Sequence, residues 1–148
     1  MSKRLKVILT VISFASILSA GMAAPAEAIP ADRIQTFANA VTNRCLDDSF
    51  EYGFRPFTCN GTDYQRWIVN VWDDGTKRFM NVFTARCFDD SGWPSVDPCN
   101  SSQIERWYVR SASAGIAFQN QSTGKCLDDS EFGLRLLPCT YNTYQSWG

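Results

Sequence analysis

The segment Cys45-Leu46-Asp47-Asp48-Ser49, followed by Cys59 and then by Gln65-Arg66-Trp67, decides how this chain is read, because it occurs three times. The second copy runs Cys87-Phe88-Asp89-Asp90-Ser91, Cys99 and Glu105-Arg106-Trp107. The third runs Cys126-Leu127-Asp128-Asp129-Ser130, Cys139 and Gln145-Ser146-Trp147. Working outward, Asn39, Asn81 and Asn120 stand six positions before the first cysteines, and Phe37, Phe79 and Phe118 two positions before the asparagines. Self-similarity at a period of about forty residues signals a modular or pseudo-symmetric fold. We place the units at residues 33–72, 73–112 and 113–148.

Any six cysteines allow fifteen pairings. The repeats narrow that choice, since pairing Cys45 with Cys59, Cys87 with Cys99 and Cys126 with Cys139 treats all three units alike. A loop of about a dozen residues closed in this way stabilises by about 3 kcal/mol, mostly by restricting the unfolded chain. The compartment must be oxidising, and the N-terminus agrees. Lys3, Arg4 and Lys6 precede an apolar run from Val7 to Ala24, and Ala26 and Ala28 then present a small-x-small cleavage pattern. This is a secretory signal over residues 1–28, and it predicts a soluble, secreted, extracellular product of residues 29–148 with no membrane span.

A mature chain of this length holds one domain with one core. Removing the leader's three basic residues and Glu27 from the totals of 14 and 15 leaves 11 basic and 14 acidic side chains. A net charge near −3, with no Lys/Arg cluster, argues against nucleic acid as a partner. The absence of histidine removes His-dependent triads and most zinc sites, and the cysteines are accounted for as disulfides. We therefore expect no metal, no cofactor and no enzymatic activity. Adjacent aspartates on an extended segment point to opposite faces, which a glycosidase dyad cannot use.

Residues Ile34 to Val41, Trp67 to Trp72, Arg78 to Thr84, Trp107 to Arg110 and Ile116 to Gln119 are rich in β-branched and aromatic side chains and predict strands. No window outside the leader carries a helical apolar stripe. The chain is all-β, and the middles of the units, where the register is loosest, are expected to be loops. Three units of four short strands close a threefold barrel with Trp67, Trp107 and Trp147 in a common core. The third unit ends directly after Trp147, so residues near Ile29 to Ile34 are expected to fill the missing strand's place at the seam.

Three Cys-x-Asp and Gln-x-Trp motifs in register, each with its cysteine pair, resemble the ricin B-chain type of lectin over nearly the whole mature chain. The resemblance implies a β-trefoil of three pseudo-symmetric repeats with one disulfide each, and a carbohydrate-binding role. It also implies where sugar contacts lie: the aspartate after Cys-x, an aromatic two residues before the second cysteine, and polar residues at Gln-x-Trp. Such sets work because a carboxylate accepts from two hydroxyls while an aromatic face covers the sugar's C–H side.

Carried onto this sequence, the first repeat offers Asp47, Phe57 and Gln65. The third offers Asp128 and Gln145 with Leu137 in place of the aromatic; the second offers Asp89 with Asp97 and Glu105, and Trp93 as a substitute platform. The first and third share further features, with Arg55 matching Arg135 and Tyr64 matching Tyr144, and these four complete the candidate set. Their arginines suit an acidic sugar. The glutamines are equally suited to holding the repeat together through backbone hydrogen bonds. Asp48, Asp90 and Asp129 are assigned structural roles. Two contexts fit the resemblance, a free-standing lectin and a targeting subunit for a separate enzyme or toxin chain. The rival reading is a protein-interaction trefoil, a toxin subunit or inhibitor with decayed sugar sites, anchored by Tyr52, Phe54, Trp93 and Phe132.

Overall fold

The computed structural model describes residues 33–148; the expected leader, 1–28, and residues 29–32 lie outside the described residues. The first unit holds β1 (Ile34–Gln35), β2 (Arg44–Ser49), β3 (Gly53–Thr58) and β4 (Trp67–Val71). The second holds β5 (Lys77–Asn81), β6 (Arg86–Asp90), β7 (Pro94–Pro98) and β8 (Trp107–Ala112), and the third β9 (Gly115–Asn120), β10 (Cys126–Ser130) and β11 (Gly133–Leu137). A single 3-10 turn precedes each tryptophan, at Asp63–Gln65, Gln103–Glu105 and Thr143–Gln145.

Each tryptophan sits between two neighbouring strands, and the pairing repeats three times. Trp67 faces Gln35 and Asn81, Trp107 faces Lys77 and Asn120, and Trp147 bridges to Ile116 and Asn39. The barrel therefore closes through β1, β4, β5, β8, β9 and the chain end at Trp147, which is the β-trefoil plan. At the seam Ala38 and Gly148 exchange backbone hydrogen bonds of 2.8 and 3.0 Å. Of the residues expected to fill that place, 29–32 lie outside the described residues, Ile34 pairs with Ile68 on β4, and the segment that meets the chain end is Ala38-Asn39. Gly115 is required here, since its φ is +137° and an added Cβ would lie 2.4 Å from the Trp147 carbonyl oxygen.

The core explains the repeated aromatics. Phe37, Phe79 and Phe118 meet edge to face with centroids 5.0 to 5.4 Å apart. Around them Trp67, Trp107 and Trp147 are fully buried, and each indole N–H donates at 3.1 Å to a backbone carbonyl, of Leu46, Phe88 and Leu127 respectively. Burial without a stranded polar atom is what makes tryptophan affordable at these positions.

The middles of the repeats are not loops. β2 pairs with β3, β6 with β7 and β10 with β11, and the three hairpins pack together through β3, β7 and β11 to cap the barrel. Their turns shorten in steps, since Asp48 pairs with Phe54, Asp129 with Leu134 and Asp90 with Pro94. One disulfide per repeat ties each hairpin's base, with the pairs Cys45–Cys59, Cys87–Cys99 and Cys126–Cys139.

The second aspartate of each pair joins one repeat to the next. Asp48 accepts from Thr84 Oγ1 at 2.5 Å and from Arg86 Nε and Nη2 at 3.1 and 2.5 Å. Asp129 does the same with Thr42 and Arg44 across the seam, and Asp90 takes Thr123. These carboxylates are fully or almost fully buried, and a buried charge is stable only when paired in this manner. The repeated asparagines brace the adjoining turns: Asn81 Oδ1 accepts from the amides of Phe83 and Thr84 while its Nδ2 donates at 2.7 Å to the Tyr64 carbonyl. Asn39 and Asn120 repeat that arrangement.

Candidate functional site

A cavity of about 490 Å³ opens beside the first hairpin, lined by Asp47, Ser49, Phe50, Glu51, Tyr52, Arg55, Phe57, Asn60, Tyr64 and Phe83. It is built by local structure. On β2 and β3, Asp47 stands opposite Arg55 and Cys45 opposite Phe57, so Asp47, Arg55 and Phe57 share one face of the hairpin. Asp48 takes the other face. The 3-10 turn brings Tyr64 alongside, and the Asn81 side chain holds both the Tyr64 carbonyl and the Phe83 amide. Phe83 therefore reaches in from the second repeat, with its ring 4.5 Å from that of Tyr64 and 5.9 Å from that of Phe50.

Of the five first-repeat candidates, Asp47, Arg55, Phe57 and Tyr64 line this cavity. Gln65 lies behind it. Its side chain is completely buried, with Oε1 accepting from the Asn60 amide at 2.8 Å and Nε2 donating to the Thr58 carbonyl at 2.9 Å and to Asp47 Oδ2 at 3.2 Å. Gln145 likewise accepts from the amides of Thr140 and Tyr141 and donates to the Pro138 carbonyl, and Glu105 accepts from those of Asn100 and Ser101. The side chains of Gln65 and Gln145 thus take the backbone-bracing role, one of the two expected of them, and in Gln65 the contacts extend to Asp47.

Arg55 alters the expected platform. Its Nε donates to Asp47 Oδ1 at 3.2 Å, and its guanidinium carbon lies 4.3 Å from the Tyr52 centroid and 4.1 Å from that of Phe57. The guanidinium lies over both rings, so that face of Phe57 is already covered. The open aromatic surface belongs instead to Phe50, Tyr64 and Phe83. Sequence reasoning missed Phe50 and Phe83 as site residues. Phe83 carries a signal of its own, two positions after the repeated Asn81, where the other repeats have Val41 and Ser122. On the rim, the neighbouring Glu51 carboxylate raises the Tyr52 phenol above its ordinary value.

The other repeats diverge from this arrangement. In the third, Arg135 Nε and Nη2 both donate to Asp128 Oδ1, at 3.1 and 2.6 Å, Phe132 lies 5.5 Å from the guanidinium, and Tyr144 is exposed. In the second, Asp89 accepts from Ser95 Oγ, and its other oxygen is buried without a hydrogen-bond donor. Burial first, and then the neighbouring Asp97 carboxylate, push the Asp89 carboxyl above its ordinary value. Trp93 stands two-thirds exposed at the hairpin tip. Among the described residues no group of three or more His, Cys, Asp or Glu could hold a metal ion, and no helix is long and apolar enough to cross a membrane.

Known proteins were compared with this architecture. A designed threefold-symmetric protein, ThreeFoil, superposes with a TM-score of 0.70 at 14% identity, over 78% of this chain and 96% of its own. SeviL, solved bound to asialo-GM1 saccharide, gives 0.67 at 13% identity over 77% and 93%. An exo-β-1,3-galactanase from Clostridium thermocellum gives 0.70 at 20% identity, over 82% of this chain but 30% of the enzyme. Likenesses at these identities concern the fold. No curated protein matches the sequence. The family model for the ricin-type β-trefoil lectin domain matches residues 33–147, essentially the whole described chain. The chain belongs to the ricin-type β-trefoil lectin domain family.

Proposed function

We propose that this protein is a secreted, non-catalytic carbohydrate-binding module whose main site is the first-repeat cavity. The observation that carries this reading is the meeting of the Asp47 carboxylate and Arg55 with the open rings of Phe50, Tyr64 and Phe83 in one cavity of about 490 Å³. That is room for a saccharide unit, with polar groups to fix orientation and rings to cover its apolar face. Family membership supports the ligand class, and the sequence of residues 1–28 together with three disulfides supports secretion. The adjacent aspartates support a non-catalytic role, because Asp47 faces the cavity while Asp48 is spent on Thr84 and Arg86. Useful avidity would come from a polysaccharide or glycan-coated surface engaging several sites or several copies. The module would act free or as the targeting subunit of a separate enzyme or toxin chain.

A specific observation favours the rival, protein-binding reading: Tyr52, Trp93 and Phe132 are each more than half exposed at the three hairpin tips. Phe54, the fourth expected anchor, does not belong with them, since it stacks on the core ring of Phe88 at 5.7 Å.

The test is a glycan and polysaccharide screen on the oxidised mature protein, repeated with Asp47→Asn and Asp128→Asn and with near-ultraviolet circular dichroism as the check on fold. Binding should weaken by about tenfold or more in Asp47→Asn, the loss expected for a charge-assisted hydrogen bond. Folded protein that binds no glycan would move the reading to a protein partner.

A further inference from the structure

Arg55 and Arg135 occupy matching positions, yet only Arg55 keeps both terminal nitrogens of its guanidinium without a partner among the described residues. Arg135 commits Nε and Nη2 to Asp128. Arg55 commits Nε alone to Asp47, and among the described residues its Nη1 and Nη2 have no partner. Its guanidinium lies over the rings of Tyr52 and Phe57, and 29% of the side chain remains exposed, so what it offers the cavity is the Nη edge. Resting on the carbohydrate reading above, we propose that Arg55 is the specificity-determining residue of the first site and that it selects saccharides bearing a carboxylate.

The chemistry follows from geometry. Two parallel N–H groups on a planar edge match the two oxygens of a carboxylate, whereas a hydroxyl or an ester presents a single acceptor region. The contacts with both rings and with Asp47 hold the guanidinium before the ligand arrives, so little side-chain freedom is lost on binding. From that edge the saccharide ring extends toward Phe50, Tyr64 and Phe83, whose surfaces close the opposite side of the cavity. The carboxylates of Asp47 and Glu51 also border the cavity, so the site tolerates a single negative charge held on the guanidinium and disfavours more heavily charged ligands.

The experiment is calorimetric titration of the full mature chain with oligosaccharides ending in glucuronate, galacturonate or N-acetylneuraminate, each beside its methyl ester, a sulfated counterpart and a neutral analogue. The acid form should bind about tenfold or more above its ester, the difference expected when an ionised partner is lost. Arg55→Lys, which keeps the charge and loses the fork, should abolish most of that preference, while Arg110→Lys, outside the cavity, leaves it intact. Thermal unfolding of both variants separates a lost contact from a lost fold, and Arg55→Ala provides a second variant if the lysine side chain finds a new position. Equal binding of acid and ester, preference for the sulfated form, or a preference that survives both Arg55 variants would overturn the assignment while leaving a lectin. Failure of every glycan to bind folded protein would overturn the carbohydrate reading itself.

Discussion

The first and second repeats share a backbone and differ in almost every side chain that faces outward from the hairpin. Both have the buried tryptophan, the core phenylalanine, the bracing asparagine, the disulfide and the aspartate pair. In the first, Asp47 has Arg55 and Gln65 as partners, with Phe57, Tyr64 and Phe83 around it. In the second, the matching positions hold Asp89, Ser95, Glu105, Asp97, Ile104 and Ser122. The set that repeats is the set that closes the barrel, and the set that varies surrounds the hairpin's outer face. A threefold scaffold leaves each such face free to acquire or to lose a ligand independently.

The repeats also differ in how they are joined, and breaking the joints should give the largest effect. Asp48 is fully buried with three hydrogen bonds from Thr84 and Arg86, so Asp48→Ala strands the Arg86 charge and should cost about 3 kcal/mol in chemical denaturation. Asp90 is held by Thr123 and the Gly92 amide, and Lys125 stands where Arg86 does. Asp90→Ala should therefore cost only about 1 to 2 kcal/mol. Equal losses would show that the arginine fork adds nothing to the junction.

The second comparison concerns the first aspartates. Asp47 is paired, while Asp89 faces Asp97 with one buried oxygen lacking a donor. A carboxyl whose pKa is raised on folding favours the folded state at pH values below its unfolded value, and that contribution is lost as pH rises through the folded value. As pH rises through the folded value the Asp89 carboxyl thus becomes a burden on stability. Asp89→Asn supplies an N–H toward Asp97 and should stabilise by on the order of 1 kcal/mol at pH 7, with the gain vanishing near pH 3. Asp47→Asn, which weakens an ion pair, should do the opposite at neutral pH. Thermal unfolding of both variants at the two pH values reads the signs.

The smallest effect sharpens the point that symmetry governs backbone before side chain. Asn43, Ala85 and Gly124 occupy one position of the three repeats, and all have left-handed φ, of 54°, 57° and 71°. Alanine is the least suited of the three, so Ala85→Gly should leave stability unchanged or raise it by about 0.5 to 1 kcal/mol despite the general cost of glycine. A clear loss in the denaturation midpoint would show that the alanine methyl makes a compensating contact.

The scaffold was readable in the sequence wherever a side chain must serve the threefold axis. Phe37, Trp67, Asn39 and their copies stand in register because each performs one packing or hydrogen-bonding task three times. The hairpin strands were not readable. In Cys45-Leu46-Asp47-Asp48-Ser49 every residue is buried, the aspartates included, so the alternation that marks a half-exposed strand is missing. The candidate site was half readable. Asp47 and Phe57 follow from the motif, and Arg55 and Tyr64 from the likeness of the first and third repeats, but the burial of Gln65 and the arrival of Phe83 depend on how a turn of the second repeat meets the first. Periodicity within one repeat carries no information about that meeting.

The central claim is that ligand binding belongs to the first repeat's cavity and not to the second repeat's hairpin. Amide chemical-shift mapping by nuclear magnetic resonance during titration with a bound glycan tests it most directly. Perturbations are expected across Phe50 to Phe57, at Tyr64 and at Phe83, with Ser91 to Asp97 unmoved. Perturbations centred on Trp93 and Asp89, with the first repeat silent, would contradict it.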